Sequence, residues 1–319
     1  MRNPGKSLRL ALTATLFASA CAAPSAGSDL AQLAQAPAGQ RISYGADPLQ
    51  FGELTLPAGK GPFPVVILLH GGCWLAQYDI QHSRALAQAL AADGVAVWNV
   101  EYRRVGNPGG GWPNTFLDVA AGADFVRTLA RTRPLDTARV IVAGHSAGGH
   151  LALWLAARRR IPAGSELRQG DPLSVAGVLG LAPAPELDLL HERGACGGAI
   201  DALMGGSPRA QPQRYAAAMP SRLAPNGVAL IGVAPNSIAP NDVTRTGVPQ
   251  ILVIGAQDAD WRWVGEAYAR RARAAGDKRI KVVVVPAAGH FEVIDPRSAA
   301  WPAVLRAARE LLHGIRAGN

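Results

Sequence analysis

The stretch VIVAGHSAGGHLALWLAA, residues 140–157, constrains this chain more than any other. An apolar, β-branched run that reads as a strand buried on both faces gives way within a few residues to an Ala/Leu-rich helix. Ser146 stands in the turn between them with Gly144 and Gly148 on either side. Only small neighbours tolerate the close contacts of so sharp a strand-to-helix turn, and the turn presents its serine at the sheet edge, where the helix N-terminus points positive charge at a developing oxyanion. In a chain with 36 glycines a bare G-x-S-x-G is a weak signal, and the strand-turn-helix context gives it force. The bland alternative makes Ser146 an ordinary helix N-cap.

The remainder repeats the same alternation. Apolar runs at Leu49–Leu56, Val65–Leu69, Val95–Val100, Arg139–Ala143, Val175–Leu181, Gln250–Ile254 and Lys281–Val285 read as strands. Helical spacing covers Ser83–Ala92, Phe116–Leu129, Gly148–Arg158, Trp263–Ala275 and Ala299–Leu312. Such alternation predicts one α/β domain with a mostly parallel sheet flanked by helices. With 49% hydrophobic and 17% charged residues, disorder and coiled coil are poor descriptions. Between about residues 183 and 247 the alternation fails around one expected helix, Ala199–Met204. This reads as a cap-like insertion over the carboxyl edge of the sheet.

A serine hydroxyl becomes nucleophilic only when a base accepts its proton. His290 follows four valines and a short Pro/Gly loop, and Asp258 follows another apolar strand, so both fall at carboxyl strand ends. His290 is the expected general base, with Asp258 orienting its imidazole. Asp260, in the same loop, competes for that role and stands farther from the strand end. HGGCW after the second strand supplies backbone N–H groups of the kind an oxyanion hole needs. Gly72 and Cys73 are the expected donors, joined by Ala147, with Gly71 as an alternative. His82, His191 and His313 read as surface residues, and His145 and His150 as flanks of the elbow. Trp74, Trp112 and Gly109–Gly111 are candidates for pocket walls and rim, although such residues are more often core or loop.

Residues 1–20 place Arg2, Lys6 and Arg9 before a short uncharged stretch, the pattern of a signal peptide. Residues 21–40 read as a linker, and the domain as residues 41–319. ASAC before Cys21 also resembles a bacterial lipobox, so the mature protein is expected to be exported, either lipid-anchored through Cys21 or soluble. Export to an oxidising compartment would permit a Cys73–Cys196 disulfide, with two unpaired small residues as the blander reading. The three cysteines have no CxxC spacing, and no metal or organic cofactor is expected. The net charge of +9 comes mostly from scattered arginines with no run longer than Arg158–Arg160, so it names no nucleic-acid partner.

Taken together, GHSAGGH, HGGCW and the late GHF resemble the α/β-hydrolase superfamily, in particular its branch of hormone-sensitive-lipase-like esterases, acyl and feruloyl esterases and kynurenine formamidases. EYRR at 101–104, WPNTFLDV at 112–119 and RYAAAMP at 214–220 share the resemblance. It implies an α/β-hydrolase fold, the chain order Ser146, Asp258, His290, and hydrolysis of a small-molecule carboxylic ester through an acyl-enzyme. Aryl-formamidase and peptidase activities are the alternatives, and a non-catalytic binding protein is a more distant one. Two departures stand out: the acid loop reads GAQDADW where Val-Pro is usual, and Asn226–Thr246 is extra.

Overall fold

The computed structural model describes residues 30–223 and 247–314. Its centre is an eight-stranded sheet of β1 (Gln40–Ser43), β2 (Phe51–Thr55), β3 (Phe63–Leu69), β4 (Ala96–Val100), β5 (Leu135–His145), β6 (Val178–Leu181), β7 (Gln250–Gly255) and β8 (Ile280–Val285). The strand order is β1-β2-β4-β3-β5-β6-β7-β8. β1 and β2 are antiparallel to their neighbours, and every pairing from β4 through β8 is parallel.

Helices α1 (Leu30–Leu33), α2 (Arg84–Ala92), α3 (Asn114–Asp124), α4 (Val126–Leu129), α5 (Ala147–Ala157), α6 (Leu187–Glu192), α7 (Ala199–Met204), α8 (Pro212–Ala218), α9 (Ala259–Ala274) and α10 (Trp301–Gly314) cover both faces. The side-chain period of two explains the layering. Val65, Ile67 and Leu69 of β3 join the layer containing α3, α5 and α9, whereas Val66 and Leu68 join α2 and α10 on the other face. Strand segments buried on both sides must be apolar, which is why β3 and the second half of β5, from Val140 on, are readable as continuous runs.

The differences from expectation have local causes. β1 carries mostly exposed residues and so lacks an apolar signature. The expected helix over Phe116–Leu129 divides at Phe125 into α3 and α4. Within the expected linker, α1 buries Leu33 against the α2/α10 layer. The insertion contains α6 and α8 besides α7, and Leu187, Ile200, Leu203, Tyr215 and Met219 are buried in the α5 layer. Its described part is therefore packed core rather than a loose excursion. The expected signal peptide, Cys21 and the Asn226–Thr246 stretch lie outside the described residues.

Candidate active site

Ser146 sits between β5 and α5 with φ 53° and ψ −117°, a left-handed backbone that costs energy in any residue with a Cβ. Three hydrogen bonds hold it there. Its N–H donates to Leu181 O at 2.9 Å, and its carbonyl accepts from the N–H groups of His150 and Ala184 at 3.1 Å each. The flanking glycines are required by space: a Cβ on Gly144 would overlap the carbonyl of Gly148, and one on Gly148 would overlap that of Leu69. The elbow is thus wedged between β3 and the start of its own helix.

β7 and β8 deliver the other two candidates. Asp258 occupies the N-cap position of α9 without a side-chain capping hydrogen bond, and the helix dipole there favours negative charge. Its Oδ2 lies 2.6 Å from His290 Nδ1. The imidazole stacks on Trp261, with ring centroids 4.9 Å apart and planes inclined by 26°. Its other neighbours are His145, 4.7 Å between centroids, and Phe291 at 5.0 Å. His145 Nε2 is 2.9 Å from the carbonyl of His290. Burial, with His290 as the next cause, pushes the His145 pKa well below its usual value. It is therefore neutral and donates to that carbonyl from Nε2, tying the histidine loop to the residue before Ser146. No hydrogen bond joins the Ser146 hydroxyl to His290 among the described residues; such bonds are often long before substrate binds. Asp260 points elsewhere, exposed and paired with Arg193 Nη1 at 3.0 Å.

The HGGCW loop follows β3 and rests on a buried polar network. Gly71 N–H donates to His82 Nε2 at 3.2 Å, which removes it as an oxyanion donor. The backbone N–H groups of Gly72, Cys73 and Ala147 form no hydrogen bond among the described residues. Beneath the loop, Tyr102 Oη donates to His70 O at 2.7 Å while its ring stacks on His70 at 4.4 Å. Glu101 accepts from the N–H groups of Tyr102 and Ile80 and pairs with Arg104. Burial and then the Arg104 charge lower the His70 pKa to about 3, so the ring is neutral; its Nδ1 lies 2.8 Å from Gly71 O, and its Nε2 lies 3.0 Å from Glu101 Oε1 and 3.2 Å from Arg104 Nη1. Burial and the neighbouring His70 likewise bring His82 to about 3.

His82 was expected on the surface and is instead buried. Its isolated position, with no apolar period around it, gave no sign of this. Glu101 and Arg104 were legible only as part of a familiar motif. His150 is buried, with Nε2 3.0 Å from Ala218 O, and His191 pairs with Asp201 at 2.7 Å. Trp74 is wholly buried, edge-on to His150, so it belongs to the core. Trp112 packs edge-on against Phe116. Cys73 and Cys196 form a disulfide that joins the HGGCW loop to the insertion. Among the described residues no group of three or more His, Cys, Asp or Glu could hold a metal ion, and no helix is long and apolar enough to cross a membrane.

A family model described as BD-FAE matches residues 53–225. Esterase LipC from Mycobacterium tuberculosis is 31% identical over 147 residues, which cover 44% of this chain and 36% of that protein. A probable isoprenylcysteine alpha-carbonyl methylesterase from Arabidopsis thaliana is 31% identical over 134 residues, 42% of this chain and 27% of that protein. The chain thus spans about a third of the length of these curated relatives. Among solved structures, esterase B from Lactobacillus rhamnosis superposes with a TM-score of 0.68 at 24% identity, covering 90% of this chain and 89% of that one. A bacterial heroin esterase superposes with a TM-score of 0.63 at 23% identity, covering 90% and 87%. The fold is the α/β-hydrolase fold.

Proposed function

The chain belongs to the BD-FAE family, and we propose that it is an exported serine hydrolase that cleaves carboxylic esters of small molecules. The observation that carries this reading is the 2.6 Å contact between His290 and Asp258, tied through His145 to the strained elbow that bears Ser146. The esterase names of both curated relatives support the bond type. The leader-like residues 1–20 and the Cys73–Cys196 disulfide support export.

In this reading Ser146 Oγ attacks the ester carbonyl carbon while its proton passes to His290 Nε2. Asp258 accepts a hydrogen bond from Nδ1 and stabilises the imidazolium that forms. The carbonyl oxygen, now an anion, is met by the N–H groups of Gly72, Cys73 and Ala147, each contributing on the order of 2.7–4 kcal/mol of transition-state stabilisation. His290 then protonates the leaving alkoxide. In the second half it takes a proton from water as the water oxygen attacks the acyl carbon, then returns that proton to Ser146 Oγ as the bond between the acyl carbon and Oγ breaks, which releases the acid.

The test is a substrate panel on the purified protein beside Ser146→Ala: p-nitrophenyl acetate, butyrate and longer esters, N-formylkynurenine, and a peptide nitroanilide. Turnover of short esters that Ser146→Ala abolishes, with fluorophosphonate labelling of Ser146, is the expected result. Preference for N-formylkynurenine would replace ester by formamide hydrolysis. Equal inactivity of both proteins together with no labelling would remove the enzyme reading. Mass spectrometry of the mature N-terminus checks the leader and shows whether Cys21 carries a lipid.

A further inference from the structure

We propose that Trp261 is a positioning residue for this hydrolysis: its indole face fixes the His290 ring and stabilises the imidazolium that forms when Ser146 attacks. The inference rests on the serine-hydrolase reading above. Trp261 is the third residue of α9, and Asp258 is that helix's N-cap. Positions three apart share a helix face, so one turn aims both the carboxylate and the indole at His290. They serve different directions. Asp258 meets the imidazole at Nδ1 at 2.6 Å, whereas Trp261 covers the ring's face at 4.9 Å and 26°.

Proton transfer from Ser146 Oγ to His290 Nε2, as the oxygen–carbon bond forms and the carbonyl electrons move to oxygen, spreads a positive charge over the imidazole. An indole face is the best aromatic partner for a cation, and the attraction strengthens as water is excluded. The His290 side chain is only 19% exposed. Because the neutral ring gains less from the indole than the cation does, the interaction favours the transition state over the ground state.

The remaining groups around His290 do not supply this. His145, on β5, is neutral through burial. Phe291 meets the ring at 77°, edge to face. Glu292, on the histidine's own loop, accepts the Gly289 N–H at 2.9 Å. Arg193 and Asp260 neutralise one another, and Arg193 lies over Trp263, 3.7 Å from its ring centroid, rather than over Trp261. Trp261 also falls in the part of the acid loop where GAQDADW departs from the usual Val-Pro. The indole packs against both hydrophobic layers, which limits its own movement.

Trp261→Leu and Trp261→Phe, made in the full chain, test the proposal against short p-nitrophenyl esters. In the Leu variant kcat is expected to fall about tenfold with KM within roughly twofold, and the acid limb of the kcat/KM profile to move to lower pH by about half a unit or more. Phe, which keeps a ring face, should recover most of both. The ring protons of His290 in NMR spectra, assigned with His290→Gln, should lose their ring-current shift in the Leu variant, and their titration midpoint should move the same way as the acid limb. A raised KM with unchanged kcat would make Trp261 a substrate contact and overturn the proposal. So would an unchanged pH profile and NMR midpoint in the Leu variant. If the wild type shows no Ser146-dependent turnover, the hydrolase reading fails and the proposed role in hydrolysis falls with it. The NMR midpoints then separately report whether the indole stabilises a charged His290.

Discussion

Asp258 and Asp260 are two positions apart in the same loop, yet the start of α9 sends them to different surroundings. Asp258 at the N-cap position turns its carboxylate in to His290, while Asp260 in the first turn is exposed and meets Arg193. Of the two, Asp258 is the one that contacts the imidazole. Asp258→Asn keeps the volume and loses the charge, and its amide can also enforce the wrong imidazole tautomer. It is expected to lower kcat by about 10³–10⁴-fold. Asp260→Asn removes one exposed ion pair and should leave kcat within about twofold. Steady-state kinetics on a short ester decides between them, and a reversed ranking would transfer the orienting role to Asp260. Gly148 offers a stability test, because a Cβ there would overlap the Leu69 and His70 carbonyls. Gly148→Ala should destabilise the fold by about 3 kcal/mol or more, and a denaturant midpoint close to wild type would show that β3 can yield.

At the level of elements, legibility followed burial. β3, β7 and the second half of β5, buried throughout or nearly so, announced themselves as apolar runs, and α5 was readable because Ala and Leu fill most of its length. β1 is exposed, and α6 and α8 are short and separated by Gly- and Pro-rich connections, so neither period had room to show. The network of His70, Glu101, Arg104 and His82 was hidden for another reason: it is assembled from β3, β4 and the turn before α2, and sequence spacing carries no record of such contacts. The disulfide is of the same kind, spanning a sequence separation of 123 residues. It ties the loop that carries the Gly72 and Cys73 N–H groups to the insertion, so its loss should affect both stability and rate. Cys196→Ser is expected to cost about 3–5 kcal/mol in urea unfolding. It should also lower kcat more than it raises KM, since in the proposed mechanism the N–H of residue 73 acts most in the transition state. Unchanged kinetics in a destabilised variant would confine the bridge to a structural role.

For the whole molecule the most consequential feature is that four histidines are buried. Burial is the largest cause in each case: it holds His70 and His82 near 3, His150 near 4, and His145 well below its usual value. Below about pH 6.5 the unfolded chain takes up protons at these positions while the native protein does not. Stability contributed by the neutral histidines is thus present at neutral pH and lost progressively as pH falls from about 6.5 toward the folded values of 3 to 4. Glu186 works in the opposite sense. Its burial, partly offset by Arg271, pushes its pKa up to about 7. Between the unfolded carboxylate range and pH 7 the native state holds a proton that the unfolded chain has released, and the stability this gives is lost as pH rises to 7. Four uptakes against one release leave a net gain of about three protons on unfolding near pH 5.5, a slope on the order of 2–4 kcal/mol per pH unit. Urea unfolding at several pH values from 7 to 5 should show that decline, and a flat profile would mean the histidines become hydrated and charged within the native fold. His82→Gln separates one contribution, because its side-chain oxygen can still accept the Gly71 N–H while nothing there titrates. The slope should then shrink by about one proton. Ester hydrolysis at neutral pH should change little if holding that peptide is the role of His82 in the oxyanion loop.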